Sequence, residues 1–313
     1  MLEDYRNALR AGQRATRAAQ ARGQSPYLAV LDDILRGVNI VAQEPLGLVD
    51  IPAESIVGTK TAGRHTAFAP NFMPILEADS EFARKWSNLC DAHLEEGIRY
   101  PITAYEYLNK FYVEEGNKRV SVLKYYEAVK IPGTVTRLVP ERNETLENKI
   151  YYEFLDFYKL SKINYVHFSR LGGYAKLQTL ACKATGESWT DDDRLNFASL
   201  YTMFSQQFYA LGGSALGLTP GDALLVYLAV YRYSDAIEST PAQVRENLSK
   251  LWDEIKILTR PQAVELQLEP ATKQGAEPLL SKLNIFSPRP SELRVVFLHE
   301  HNAQTSAWVR GQD

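Results

Sequence analysis

No stretch of the chain approaches the roughly 18 consecutive apolar residues of a membrane-spanning helix. The first 25 residues hold Arg6, Arg10, Arg14, Arg17 and Arg22 but no apolar core of a secretory signal. A cytosolic (cytoplasmic) protein without a membrane span is expected. Cysteine is nearly absent: Cys90 and Cys182 are the only two among 313 residues. That excludes a disulfide scaffold and suits two free thiols in a reducing compartment. Neither sign of charge is in excess, since 35 Lys and Arg face 38 Asp and Glu for a net −3. No global field draws such a chain onto a polyanion, so any nucleic-acid contact has to be local, and DNA is not an expected partner. What is present is ordinary globular material, 45% hydrophobic and 23% charged, with length enough for two compact units.

Residues 2–21 are rich in Ala and Arg and predict a helix, with Gly23, Ser25 and Pro26 as a break and a second helix near 27–35. Together, residues 1–45 read as an N-terminal helical arm. Arg6, Arg10, Arg14 and Arg17 recur at spacings of three and four, so they share one helix face, read as a solvated one.

From residue 46 the texture changes to that of an α+β unit. A strand at 48–52 ends at Pro52, and a polar loop follows, Gly58-Thr59-Lys60-Thr61-Ala62-Gly63-Arg64. Phe82, Trp86, Leu89 and Cys90 predict a helix capped by Asp79 or Ser80 and stopped at Gly97. Strands 102–107 and 110–114 join at Leu108-Asn109, Gly116 opens a short helix to about Tyr126, and 134–139 is another strand. The unit spans 46–140.

Residues 148–258 carry no strand signal. Thr190, Thr219 and Thr240, each followed by proline or acids, mark helix starts in an all-helical domain of four or five helices. Its aromatic stripes, such as Tyr151, Phe154 and Phe157, read as core packing. The Leu-Gly-Gly sequences at 171–173 and 211–213 read as helix C-terminal turns. Five prolines between 261 and 290 make 259–293 a linker, and the apolar run 293–298 reads as a strand without room for a domain of its own, so that either the chain is cut from a longer one or the strand pairs elsewhere. His299, Glu300 and His301 read as a strand end and not as metal ligands; no metal site is expected.

The segment with chemistry is Glu114-Glu115-Gly116-Asn117-Lys118-Arg119. A strand delivers the chain to a glycine, and a helix begins with two cations in its first turn, where the helix dipole disfavours them. Free backbone N–H groups plus Lys118 and Arg119 suit a phosphate, with Gly116 permitting close approach. The alternative is that Glu114 and Glu115 alone neutralise the cations.

Four elements in order, Ile51-Pro52-Ala53-Glu54-Ser55-Ile56, Gly63-Arg64, Gly97-Ile98-Arg99-Tyr100-Pro101-Ile102 and Gly116-Asn117-Lys118-Arg119, resemble the N-terminal domain of the ParB partition proteins, shared with sulfiredoxin and a free-serine kinase. The resemblance covers about residues 46–140. It implies a small mixed sheet with helices whose Gly-x-x-Arg turn holds nucleotide phosphates. The implied site comprises Gly116, Asn117, Lys118 and Arg119, faced by Arg64 and the loop residues Thr59, Lys60 and Thr61. The implied ligand is ATP, ADP or CTP, with Mg²⁺ as a companion ion. Asn117 stands where sulfiredoxin has its cysteine and ParB a glutamate, which removes support for reductase chemistry and for triphosphate hydrolysis. The end of the chain, Arg294 to Glu300 and Thr305 to Trp308, resembles the opening of the basic-membrane-protein family of substrate-binding domains, implying a nucleoside-like small molecule as a further partner.

The expectation is a nucleotide-binding sensor or regulatory module. Alternatives are a nucleotide-dependent phosphotransferase, with its base sought among Glu54, Glu114 and Glu115, and a partition-like DNA binder.

Overall fold

The computed structural model describes residues 2–259, and the expected linker, final strand and His299–His301 segment lie outside them. The fold is α+β, and the chain divides at residue 143 into two compact units.

The first unit runs α1 (Leu2–Ala21), β1 (Ala29–Val30), α2 (Leu31–Ile34), β2 (Ile40–Pro52), β3 (Ile56–Thr59), α3 (Glu81–Glu95), β4 (Ile102–Tyr107), β5 (Lys110–Glu115), α4 (Asn117–Tyr125) and β6 (Lys130–Pro140). Its strands form one mixed sheet of order β1-β3-β5-β4-β6-β2. The β4–β5 hairpin turns at Leu108 and Asn109, both left-handed (φ 51° and 62°), as a two-residue type I′ turn requires. On β5, alternation sends Phe111 and Val113 to the main core, with Ile102, Ala104, Val120, Ile131 and Val135, and Tyr112 to a small cluster with Leu31, Tyr107 and Leu138. Parallel register sets Glu106 opposite Arg137. Both are buried, and their side chains meet at 2.5 Å.

The N-terminal helix is not a free arm. Tyr5 and Ala8 are fully buried with Trp86, Cys90 and Val122, and the Tyr5 hydroxyl donates to Leu76 O at 2.7 Å. The segment expected as a second helix supplies instead the two residues of β1 and the single turn α2, because Ala29 and Val30 pair in parallel with Gly58 and Thr59. A Cβ on Gly58 would lie 2.3 Å from Ala29 O, so only glycine permits that approach. Strand β2 begins eight residues before the expected start at residue 48 and absorbs Pro45 and Gly47 as an irregularity on the sheet edge.

Helix α3 follows its apolar stripe closely: Ser80 Oγ caps Ala83 N at 3.1 Å, and Gly97 takes φ 77° past the end.

In the second unit the described residues form α5 (Leu146–Ser161), α6 (Gly173–Leu180), α7 (Asp191–Ala210), α8 (Pro220–Val230), α9 (Tyr233–Ile237), α10 (Pro241–Lys250) and α11 (Trp252–Ile257). That is more helices than expected, the surplus being the short α9 and α11. Thr190, Thr219 and Thr240 each close a reciprocal capping box. The aromatic stripes are core in part: Tyr151, Phe154, Phe157, Phe197, Phe204, Phe208 and Tyr227 are buried, whereas Tyr152, Tyr158, Tyr201 and Tyr231 are half-buried and Tyr209 is exposed. Gly212 follows α7 as a C-terminal turn. Gly172 does the reverse, capping the start of α6 with φ 79° while its N–H donates to both oxygens of Glu153.

Candidate phosphate site

Strand β5 ends in Glu114 and Glu115 at the mouth of a cleft of about 770 Å³, and α4 leaves from its wall. The charged lining is Arg64, Lys118 and Arg119 with Glu114 and Glu115, and the apolar lining includes Phe68, Phe82, Leu89 and Tyr100. Phe68 and Phe82 pack edge to face at 5.3 Å, continuous with the core, whereas Tyr100 stands 81% exposed at the rim.

Gly116 is the turn between strand and helix, at φ 106° and ψ 18°, and no side chain caps α4. The expectation that this glycine makes room for a ligand needs correcting. A Cβ here would point inward, 2.8 Å from Ile102 Cγ2, so the glycine serves the backbone turn and the packing beneath it.

The two cations of the first turn have different surroundings. Arg119 is engaged by the protein: Nη1 donates to Tyr100 O at 3.0 Å and Pro101 O at 2.6 Å, and Nη2 to Glu115 Oε1 at 3.1 Å. For Arg119, neutralisation by a neighbouring glutamate is what the structure displays. Lys118 has no carboxylate partner among the described residues; its ammonium lies 4.6 Å above the Phe82 ring. Burial first, then the nearby Arg64 and Lys85, push the Lys118 pKa below the usual lysine value, with Glu81 opposing weakly. An anion placed between Lys118 and Arg64 would relieve that repulsion.

Asn117 donates from Nδ2 to Thr59 Oγ1 at 3.3 Å, and its Oδ1 is buried without a hydrogen-bond partner. Thr59 is buried and donates in turn to Val113 O at 3.0 Å, so it ties β3 to β5 and orients Asn117 from behind the cleft wall.

Lys60 and Thr61 do not reach the cleft. Lys60 pairs with Asp32 Oδ1 at 2.5 Å and lies 5.3 Å from the centre of the Tyr105 ring, which packs against the small cluster on the other face of the sheet. Thr61 precedes the 3-10 turn Ala62–Ala67, which carries Arg64, exposed, to the cleft. His65 is not part of the cleft lining: Nδ1 lies 2.6 Å from Ala62 O and the ring packs edge-on against Tyr27. Of the eight residues expected at the site, Arg64, Gly116, Asn117, Lys118 and Arg119 line one cleft, and Thr59, Lys60 and Thr61 do not.

The apolar lining was not expected from sequence. Phe82 and Leu89 belong to the α3 stripe, and nothing in its spacing tells which part of the stripe stays uncovered. No cluster of three or more His, Cys, Asp or Glu suited to a metal occurs among the described residues. No helix of the described residues is long and apolar enough to cross a membrane.

The chain matches no protein-family model and no curated protein.

Proposed function

We propose that the first unit binds a phosphorylated small molecule of the nucleotide class in the cleft beside α4, and that the protein is a nucleotide-responsive sensor or regulatory module. The observation that carries this reading is Lys118, a partly buried cation without an acidic partner among the described residues, near Arg64 at an uncapped helix start. Backbone N–H groups at a helix start and two side-chain cations lining the same cleft are a donor set suited to a phosphate. The volume of about 770 Å³ lies within the range of small-molecule sites, and the apolar flank of Phe82, Leu89 and Tyr100 offers a surface for a base or sugar. The resemblance carried by Gly116 to Arg119 supports the same reading.

Glu114 and Glu115 in the same cleft keep a phosphotransferase as the second reading, since a carboxylate there could accept a proton from a substrate hydroxyl. Arg119 already engages Glu115, which leaves Glu114 as the base to test.

The test is a thermal-shift panel of ATP, ADP, CTP and inorganic phosphate, each with and without Mg²⁺, on the wild type and on Lys118→Ala. A ligand at about 100 times its Kd adds roughly 2.7 kcal/mol to the folded state. A shift with at least one nucleotide that Lys118→Ala abolishes supports the proposal; the absence of any shift across the panel refutes it. Following product by phosphorus NMR separates sensing from transfer.

A further inference from the structure

Helix α1 is held by one face and presents another that nothing in the cleft uses. The buried positions are Tyr5, Ala8, Gly12 and Ala19, and a Cβ on Gly12 would lie 2.3 Å from Pro74 O, so the helix sits tight against its support. At about 100° per residue, Arg6, Arg10, Arg14 and Arg17 fall in an arc roughly 80° wide, centred almost opposite that packed face. All four are exposed, and none has an ion pair among the described residues. Between residue 5 and residue 31 the sequence contains no Asp or Glu; Glu3 lies at the start of the face.

Arginines at successive i, i+3 and i, i+4 positions repel, by a few tenths of a kcal/mol per pair in an isolated helix. A row of unpaired, mutually repelling cations about 16 Å long is complementary to a regular row of negative charges. The neighbouring side chains decide which kind. Among the described side chains, the other exposed positions of α1 include Asn7, Gln13, Ala18, Gln20 and Ala21, with nothing apolar larger than alanine. A membrane-surface helix needs large apolar residues to insert, and here the apolar face is spent on the core. A protein partner would be anchored by aromatic or large aliphatic contacts, which this face does not offer.

We propose that the α1 arginine face binds the phosphate backbone of a nucleic-acid strand, without reading its sequence. Arginine forks and the amides of Asn7 and Gln13 are donors to phosphate oxygens, and 16 Å spans about five nucleotides of one strand. This site is separate from the cleft and does not depend on the nucleotide reading. It is compatible with the net −3 of the chain because contact is confined to one local stripe.

The test uses the full chain and fluorescein-labelled 20-nucleotide probes, single-stranded and duplex, followed by anisotropy. Four phosphate contacts give a salt slope of about −3.6 on duplex and about −2.8 on single strands, so affinity should fall about 150-fold or about 50-fold between 50 and 200 mM salt. Replacing all four arginines by glutamine should weaken binding at least tenfold at 50 mM and flatten the slope, with the melting temperature retained because the side chains are exposed. Replacing all four by lysine should restore most of the binding. Lys118→Ala, in the cleft, should leave the slope unchanged. The proposal is overturned if the wild type fails to bind either probe at 50 mM salt, or if the glutamine variant keeps the wild-type slope. Tighter binding to phosphatidylserine vesicles or to polyglutamate than to either oligonucleotide overturns it equally.

Discussion

Lys118 and Arg119 are adjacent in sequence, carry the same charge and line the same cleft, yet truncating each to alanine should have opposite consequences. Lys118 makes no hydrogen bond among the described residues and lies near Arg64 and Lys85, both of which oppose its charge. Removing its ammonium relieves that repulsion and forfeits a cation–π contact of about 0.5–1 kcal/mol, so stability without ligand should change by less than about 1 kcal/mol. Binding of a phosphate ligand should lose a charge-assisted hydrogen bond, about 1.5–3 kcal/mol, or roughly ten- to a hundredfold in Kd. Arg119, with its side chain only 18% exposed, bridges Tyr100 O, Pro101 O and Glu115. Its loss unties the segment before β4 from the first turn of α4 and leaves two carbonyls without their donor. A cost of about 1–3 kcal/mol follows, after discounting for partial solvent access. For a unit of this size that corresponds to a fall of roughly 3–10 °C in melting temperature. Melting curves without ligand and calorimetric titration of the tightest nucleotide measure both quantities on both variants. The reasoning fails if Arg119→Ala melts like the wild type while Lys118→Ala is destabilised, or if Lys118→Ala binds nucleotide with unchanged affinity.

Gly116→Ala should lower ligand-free stability by about 1–3 kcal/mol, through φ 106° and a Cβ 2.8 Å from Ile102 Cγ2; an unchanged urea midpoint would give the glycine to ligand approach instead. Glu106→Leu should cost about 3–5 kcal/mol by removing the Glu106 carboxylate from the buried Arg137 guanidinium and from Asn109 N, and Arg137→Met added to it should recover part of the loss; a single-variant cost below about 1 kcal/mol in chemical denaturation would contradict this. In the second unit, both ring nitrogens of His167 are buried without hydrogen-bond partners among the described residues, and burial depresses its pKa to about 4 from the ordinary 6.5. The folded state therefore binds fewer protons than the unfolded one: the stability is whole above pH 6.5 and is lost as pH falls towards 4, about 2 kcal/mol by pH 5 and roughly 3 kcal/mol in all. Hydrogen exchange of peptides within 146–258 should show this loss in the wild type and not in His167→Phe; equal pH dependence in both would rule His167 out as its source.

Features written in local chemistry were legible in the sequence, and features that depend on distant partners were not. The Leu108-Asn109 hairpin, the Ser80 cap, the three threonine capping boxes and the strand–glycine–helix turn at Gly116 are each decided within a few residues, and each is where the sequence places it. Ala29 and Val30 have no strand signal of their own; they extend because Gly58 lets their backbone approach. The start of β2 was hidden by Pro45 and Gly47, turn residues that an edge strand tolerates. The same division runs through the site. That two cations open α4 is local. That one is consumed by carbonyls at residues 100 and 101, and that Lys60 meets Asp32 just past the paired ends of β1 and β3, follows from strand order, which no local pattern encodes. Lys118 and the α1 arginines are among the cations that have no ion pair among the described residues, and they differ from the rest by their grouping: Lys118 lines a cleft with Arg64, and the four arginines share one helix face. Like charges gathered in a cleft or along one helix face raise the local potential together, so such groups are where an anion from outside has most to gain.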